Sequence, residues 1–210
     1  MLPDACCEDE HVTGHYFDDR PSGADDRRSV HFDAWQHTLT CTTSGGVFSA
    51  DHLDHATRIL LDSAGPPSGT VLDLGCGWGP ISCAVAAASP SATVWAVDVN
   101  ERARELTRLN AAAAGAADRV HVAAPDEVPA DLRFDALWSN PPIRIGKQAL
   151  HDLLQHWLAR LNDDGHARLV VGKNLGADSL QRWLTDQGWP TERTASSKGF
   201  RVLTVRRGEH

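Results

Sequence analysis

Val71-Leu72-Asp73-Leu74-Gly75-Cys76-Gly77-Trp78-Gly79-Pro80 runs from a short apolar segment straight into three glycines spaced G-x-G-x-G. Apolar residues that lead into a glycine cluster read as a buried strand followed by a tight turn. Glycine at the turn allows a left-handed backbone and lets a ligand come close to the main chain. The apolar run from Ile81 to Ala88 reads as a helix, whose first N–H groups have no partner within the helix. Strand, glycine turn and helix start together predict a loop that cradles a nucleotide cofactor. A dinucleotide loop would need G-x-G-x-x-G, because its last glycine packs the helix that holds a pyrophosphate. Pro80 stands at that position, so the dinucleotide pattern fails. Asp73, just before Gly75, Gly77 and Gly79, suits a different ligand. A carboxylate there can receive the ammonium of a methionine moiety, an attraction that a pyrophosphate does not share. S-adenosylmethionine is the cofactor these residues favour.

Outward from that loop the chain alternates. Strands are predicted at Thr70–Leu74, Thr93–Val97, Val120–Val122, Phe134–Ser139, Ala167–Val171 and Phe200–Val205. Helices are predicted at Ile81–Ala88, Glu101–Ala114, Lys147–Leu161 and Ser179–Gln187. Strands alternating with helices imply a mostly parallel sheet with helices on both faces. Such sheets bind ligands at the carboxyl ends of their strands. Asp98 ends the second of these strands, where a carboxylate can accept both hydroxyls of a ribose. It equally suits a turn or a cap for the helix after Asn100, and it does not separate NAD from S-adenosylmethionine. Upstream, Ser49 or Asp51 is predicted to cap a helix carrying Leu53, Ala56, Ile59, Leu60 and Leu61. Residues 31–41 alternate enough for a short hairpin, and residues 1–30 are polar and acidic. The expected organisation is an arm and hairpin over residues 1–50 and one α/β domain over 51–210.

A second motif, Asn140-Pro141-Pro142-Ile143, follows the strand Phe134–Ser139. Two successive prolines remove two N–H donors, and each extends the residue before it. Asn140 can then offer its side-chain oxygen, and Pro141 its main-chain oxygen, to the two hydrogens of one –NH2 group. An aromatic amine is a poor nucleophile because its lone pair is spread into the ring. Two acceptors that draw the hydrogens out of plane would aim that lone pair at a sulfonium methyl. No strong base is needed, since methylation itself acidifies the nitrogen. With the glycine loop and Asp98, the motif predicts methyl transfer to an sp2 nitrogen.

Composition sets outer limits. The 41 % hydrophobic content supplies a core, and no run of 18 apolar residues could form a membrane helix. Met1–Glu10 lacks a basic segment followed by an apolar one, so no signal peptide is expected. Five scattered cysteines point to reduced thiols and a cytoplasmic protein. The histidines, including the pairs His11/His15 and His52/His55, come with no complete metal-site pattern, and no metal is expected. Trp78 either borders the cofactor or packs inward. The net charge of −8 is awkward for an RNA partner. However, residues 1–140 hold 9 Lys and Arg against 21 Asp and Glu, while residues 141–210 hold 11 against 7. The basic excess begins after the Asn-Pro-Pro motif, where it would face phosphates or simply be solvated.

These motifs, in this order, resemble the class I methyltransferases, and more narrowly the methyltransferase small-domain family of ribosomal RNA guanine-N2 methyltransferases. His15-Tyr16-Phe17, Gly46-Val47-Phe48-Ser49 with Leu53-Asp54, Val71 to Pro80, Asp98-Val99-Asn100, Phe134-Asp135 and Asn140 to Lys147 carry the resemblance. It implies a Rossmann-like fold with a seven-stranded sheet, and S-adenosyl-L-methionine as donor, leaving as S-adenosyl-L-homocysteine. It also implies that Asp98 and Val99 lie at the cofactor, Asp126 near the adenine amine, and Asn140 against the target nitrogen. Pro142, Ile143, Arg144 and Lys147 are then expected at the substrate. Ile143 departs from the aromatic residue that many relatives stack on the base, and no second, duplicated domain is recognised here. The leading expectation is methylation of a guanine N2 in ribosomal RNA, by a monomer. A small amine, a nucleoside-like metabolite or a protein glutamine amide would use the same chemistry. A cofactor-binding partner protein without turnover is a third reading, against which the intact Asn-Pro-Pro speaks.

Overall fold

A computed structural model of the chain describes residues 26–208. His15-Tyr16-Phe17, Cys6, Cys7, His11 and most of the acidic arm lie outside the described residues. The hairpin comes first: β1 (Arg27–Ala34) pairs antiparallel with β2 (His37–Ser44). It is longer than the 31–41 stretch expected. Its two-residue turn sets Trp35 and Gln36 at φ 46° and 69°, the left-handed region usually left to glycine or asparagine. Trp35 is held there from outside. Its indole N–H donates to the Ala64 carbonyl at 2.7 Å, and its ring meets Trp138 edge-on at 5.6 Å.

The domain proper contains α1 (His55–Asp62), β3 (Thr70–Leu74), α2 (Pro80–Ala88), β4 (Thr93–Val97), α3 (Glu101–Ala113), β5 (Val120–Ala123) and β6 (Phe134–Ser139). It continues with α4 (Lys147–Leu158), β7 (Leu161–Gly172), α5 (Ala177–Asp186), β8 (Thr191–Ser197) and β9 (Phe200–Arg206). Seven strands form one sheet in the order β5-β4-β3-β6-β7-β9-β8. β3 to β7 run parallel, and β9 lies antiparallel between β7 and β8. The seven-stranded, mostly parallel sheet is as expected. Alternate strand residues enter opposite cores. Val71, Ala136, Val170 and Val202 pack with α1, α2, α3 and the hairpin. Leu72, Leu137, Leu169 and Leu203 pack with α4 and α5. Each large side chain so buried contributes roughly 1.5–3 kcal/mol.

The helix α2 is buried almost all round, from Pro80 to Ala86. A helix with no polar face needs cover on its outer side as well. The hairpin supplies it: Val30, Phe32, Ala34, Leu39 and Cys41 belong to the same core as Ile81, Cys83 and Val85.

Three boundaries and one strand differ from expectation. The cap of α1 is Asp54, whose carboxylate accepts from Thr57 N–H at 3.0 Å, not Ser49 or Asp51. α4 ends at Leu158, three residues before the expected Leu161. β7 begins at Leu161 rather than Ala167, carrying Asn162-Asp163-Asp164-Gly165 through a register shift against β6. That tetrapeptide has turn composition and bulges from the ladder, with Asn162 Nδ2 donating to Asp135 Oδ1 at 2.6 Å. β8 went unrecognised because Thr-Glu-Arg-Thr-Ala-Ser-Ser has no apolar alternation. It is an edge strand with little to bury.

Candidate functional site

The strand order reverses between β3 and β6, and the two key motifs leave these neighbouring strands at their carboxyl ends. The Ser139 hydroxyl donates to the Leu74 carbonyl at 2.7 Å, fastening the strand end before Asn140 to the one before Gly75. The glycine loop is tied on its other side to β4. Gly75 and Cys76 N–H groups both donate to the Val97 carbonyl, at 2.8 and 3.1 Å. Gly79 has φ 87°, and a Cβ there would lie 2.9 Å from the Thr107 methyl on α3. A side chain would therefore push the loop off α3. At Gly75 and Gly77, also left-handed, a Cβ would meet nothing within 4 Å. This side of the loop is open to a ligand.

Asp73 is wholly buried, with no exposed surface. Its Oδ2 accepts from the Ser82 hydroxyl at 2.6 Å and the Ser82 N–H at 3.0 Å, which fixes the first turn of α2 to β3. Its Oδ1 is buried without a partner, a costly state for a carboxylate oxygen. Burial pushes its pKa up to about 7, against the opposing bonds from Ser82. A cation brought to Oδ1 would relieve both the missing partner and the raised pKa.

Asp98 Oδ2 accepts from Gly77 N–H and Oδ1 from Asn100 N–H, each at 2.9 Å. The carboxylate thus braces the loop and the start of α3, and keeps lone pairs for further donors. Desolvation raises its pKa, and the bonds from Asn100 and Gly77 oppose the rise. The cap of α3 is Asn100, not Asp98. Val99 beside it is 71 % exposed, an apolar side chain left at the rim. Asp126 is exposed in the single turn after β5, next to the strand that Asp98 ends. Trp78 packs inward. Its N–H donates to the Ser49 carbonyl at 3.1 Å and its ring meets Phe32 edge-on at 5.9 Å.

Asn140 is oriented by residues the sequence reading did not single out for this task. Its Nδ2 donates to Asp54 Oδ2 at 2.9 Å and to Thr57 Oγ1 at 3.2 Å. A carboxylate can only accept, so Asp54 sets which way the amide turns. Oδ1 is left facing away from α1 and free to accept. Pro141 is buried, and its carbonyl takes the Ile143 N–H at 2.8 Å. That leaves one of its two lone pairs. Pro142 and Arg144 are exposed, Ile143 is half-buried, and Lys147 opens α4 in solvent. One buried side chain joins these parts to the hairpin. Asn110 on α3 accepts from Thr42 N–H at 2.7 Å and donates to the carbonyls of Thr42 at 2.8 Å and Trp78 at 2.7 Å.

The basic excess of the last third divides. Arg144, Lys147, Lys173 and Lys198 lie at the carboxyl ends of β6 and β7, on the side of Asn140. Arg206 and Arg207 lie toward the start of β7, away from it, and Arg168 stands level with Trp138, its guanidinium over that ring. Only part of that charge can face an acceptor bound at Asn140. Among the described residues there is no cluster of three or more metal-ligating side chains, and no helix is long and apolar enough to cross a membrane.

The methyltransferase small-domain family matches residues 38–204, which include the loop, Asp98 and Asn140. The chain belongs to that family. A methyltransferase domain therefore makes up most of the chain. The uncharacterized protein YbxB of Bacillus subtilis is 31 % identical over 201 residues, covering 93 % of this chain and all of YbxB. Ribosomal RNA small subunit methyltransferase C of Salmonella choleraesuis is 39 % identical over 143 residues, covering 65 % of this chain but 41 % of that enzyme. The chain therefore spans the full length of the first relative and under half of the second. Among solved structures, the T. thermophilus 16S rRNA N2 G1207 methyltransferase in complex with AdoMet and guanosine superposes with a TM-score of 0.77 at 21 % identity. That match covers 89 % of this chain and 52 % of the other. The ribosomal protein L11 methylase of Lactobacillus delbrueckii subsp. bulgaricus gives 0.65 at 20 % identity, over 80 % and 84 %.

Proposed function

We propose that this methyltransferase acts on the exocyclic N2 amine of a guanine in ribosomal RNA. The observation that carries the reading is the pinned Asn140 amide, with Nδ2 held by Asp54 and Thr57 and Oδ1 free at the end of β6. Bound S-adenosylmethionine supplies a methyl group on sulfonium and departs as S-adenosylhomocysteine. Asp73 Oδ1 would take its ammonium, the open faces of Gly75 and Gly77, in the loop that Gly79 closes against α3, its methionine backbone, and Asp98 its ribose. Val99 and Asp126 would lie at the adenine. Asn140 Oδ1 and the Pro141 carbonyl would accept the two amine hydrogens and aim the nitrogen lone pair at the methyl carbon. Fixed acceptors of this kind act by placement and preorganisation.

The choice of RNA is supported by the ribosomal RNA enzymes among the relatives, which match the region holding both motifs. It is also supported by four cations on the side of Asn140: Arg144, Lys147, Lys173 and Lys198. A target guanine must be unpaired or turned out of its stack to reach Asn140. Pro142 and Ile143 would border that base, and Arg144 and Lys147 its phosphates.

The test is tritiated methyl transfer from S-adenosylmethionine. Ribosomal RNA from a strain lacking this gene is compared with that strain's small-molecule and protein pools, followed by nucleoside analysis. Label in N2-methylguanosine is expected. Label confined to a small amine or to protein glutamine would replace the RNA reading while keeping the chemistry. No transfer to any pool, despite cofactor binding, would leave a cofactor-binding partner protein.

A further inference from the structure

Ile143, three residues beyond Asn140, lines a cavity of about 230 Å³. Its walls come from four parts of the chain: Ile143 after β6, Lys147, Leu150 and His151 on α4, Val171 at the end of β7, and Leu175 to Leu180 leading into α5. A cleft for a drug-sized ligand is usually about 300–1,000 Å³, so this one suits a single planar ring. Its lining is mostly aliphatic, with one strongly buried polar group. His151 is only 7 % exposed, and one face of its ring stacks on Trp183 at 3.5 Å and 12°. No side chain or main-chain group among the described residues hydrogen-bonds to it. The ring borders the open cavity, so its nitrogens are available to a ligand there. Burial, with Lys147 nearby, lowers its pKa, so near pH 7 the ring is neutral, with one donor and one acceptor.

The rim has the opposite character. α4 starts after Gly146, with no side-chain cap on its first N–H groups, which favours an anion there. Lys147 is the first residue of that helix. Lys173 and Lys198 stand close by, since Lys173 N–H donates to the Gly199 carbonyl at 2.7 Å. Arg144, Lys147, Lys173 and Lys198 form no ion pair among the described residues. The one acidic residue in the first turn of α5 is Asp178, which makes α4 the better anion site. An apolar slot with one hydrogen-bonding imidazole, under a rim of free cations and an uncapped helix start, has the chemistry of a nucleotide.

We propose that this cavity holds the base of a nucleotide flanking the methylated one, with its phosphate at the start of α4 and Lys147. The inference rests on the reading of the acceptor as RNA. Ile143 would then stand between two bases, the target toward Asn140 and the flanking base against His151. That arrangement gives a role to an aliphatic residue where many relatives carry an aromatic one. It also makes the acceptor a strand rather than a lone nucleoside.

The test measures binding and turnover separately. Full-length protein saturated with S-adenosylhomocysteine, carrying Asn140→Ala to remove the target grip, is titrated calorimetrically with the four nucleoside 5′-monophosphates and the matching nucleosides. At least one monophosphate is expected to bind with a dissociation constant of about 1 mM or tighter, and its nucleoside more weakly. Ser179→Phe, at an exposed lining position, should close the slot and weaken binding about tenfold or more. Lys147→Ala should weaken the monophosphate and leave the nucleoside unchanged. Retained S-adenosylhomocysteine binding reports that each variant is folded. In the Asn140 parent, Ser179→Phe should raise KM for ribosomal RNA and leave kcat nearly unchanged. The proposal is overturned if no monophosphate binds, or if Ser179→Phe binds them as its parent does. A kcat loss with unchanged KM would place the target base itself in the cavity and overturn it as well. Monophosphate binding with no RNA methylation would refute the acceptor reading instead, so the two failures are distinguishable.

Discussion

Asn140, Asp54 and Thr57 form a chain in which one carboxylate does two jobs. Asp54 caps α1 and, through the same oxygen, turns the Asn140 amide. Asn140→Ala is expected to keep S-adenosylhomocysteine affinity and lower methyl transfer by about a hundredfold or more. Single-turnover rates beside calorimetry would check it, and full activity on the true substrate would reduce the Asn-Pro-Pro stretch to a structural turn. Asn140→Asp is more severe than its shape suggests. It sets a second carboxylate 2.9 Å from Asp54 Oδ2 in place of a donor, and two such groups do not ionise together without cost. Low activity, and a stability that falls as pH rises through the carboxylate range, are expected. Asp54→Ser separates the two jobs, because serine caps a helix about as well as aspartate but is too short to reach Asn140. The melting temperature should change little, while kcat drops roughly tenfold to a hundredfold. A parallel loss of both would mean that the capped helix, and not the amide orientation, is what matters.

The loop after β3 keeps its shape because β4, α3 and the hairpin each hold it. Asp98 bonds to the N–H groups of Gly77 and Asn100, so its removal would do more than delete the proposed ribose contact. Asp98→Ala should weaken S-adenosylhomocysteine about tenfold or more and also raise amide exchange in residues 75–79. Normal affinity would show that the ribose lies elsewhere. Asn110, itself buried, links α3, β2 and the Trp78 carbonyl through three hydrogen bonds. Asn110→Ala strands the groups it serves and should cost about 3 kcal/mol, read from chemical denaturation. The hairpin should loosen from α2, which depends on it for cover. A denaturation midpoint equal to the parent's would show that the hairpin is held by its apolar face alone.

On the proposed reading of the site, protonation of Asp73 would couple the fold to the cofactor. Its native pKa of about 7 lies above the unfolded value of about 3.9. Between these limits the native protein binds the extra proton, so this group's contribution to stability falls as pH rises through the window. The full effect is on the order of 4 kcal/mol. An ammonium at Oδ1 favours the ionised form and should reverse the shift. Cofactor binding is then expected to release a proton and to weaken as pH drops below about 7. Calorimetry in buffers of different ionisation enthalpy reads that proton directly. Equal affinity at about pH 5.5 and pH 8, with no proton released, would remove Asp73 from the ammonium contact.

Much of the fold could be read from local order in the chain. The run Val71 to Pro80 announces strand, turn and helix, because glycine spacing and apolar continuity are local properties. The alternation that follows implies a parallel sheet, which places Gly75 and Asn140 together at the carboxyl ends of its strands. Residues far apart in the chain left no such local trace. Asp54 and Asn140 are 86 positions apart, as are Thr42 and Asn110 by 68, and no short-range pattern records a pairing of that length. Trp35 turns a hairpin without glycine only because Ala64 and Trp138 hold its ring. β8 exists because β9 offers it a ladder, not because its residues favour a strand. The cavity at His151 likewise needs α4, β7 and α5 to meet. Local sterics and hydrophobic periodicity specify the elements; which polar atoms end up facing each other, and which stay unpaired, depends on how the packed sheet brings those elements together.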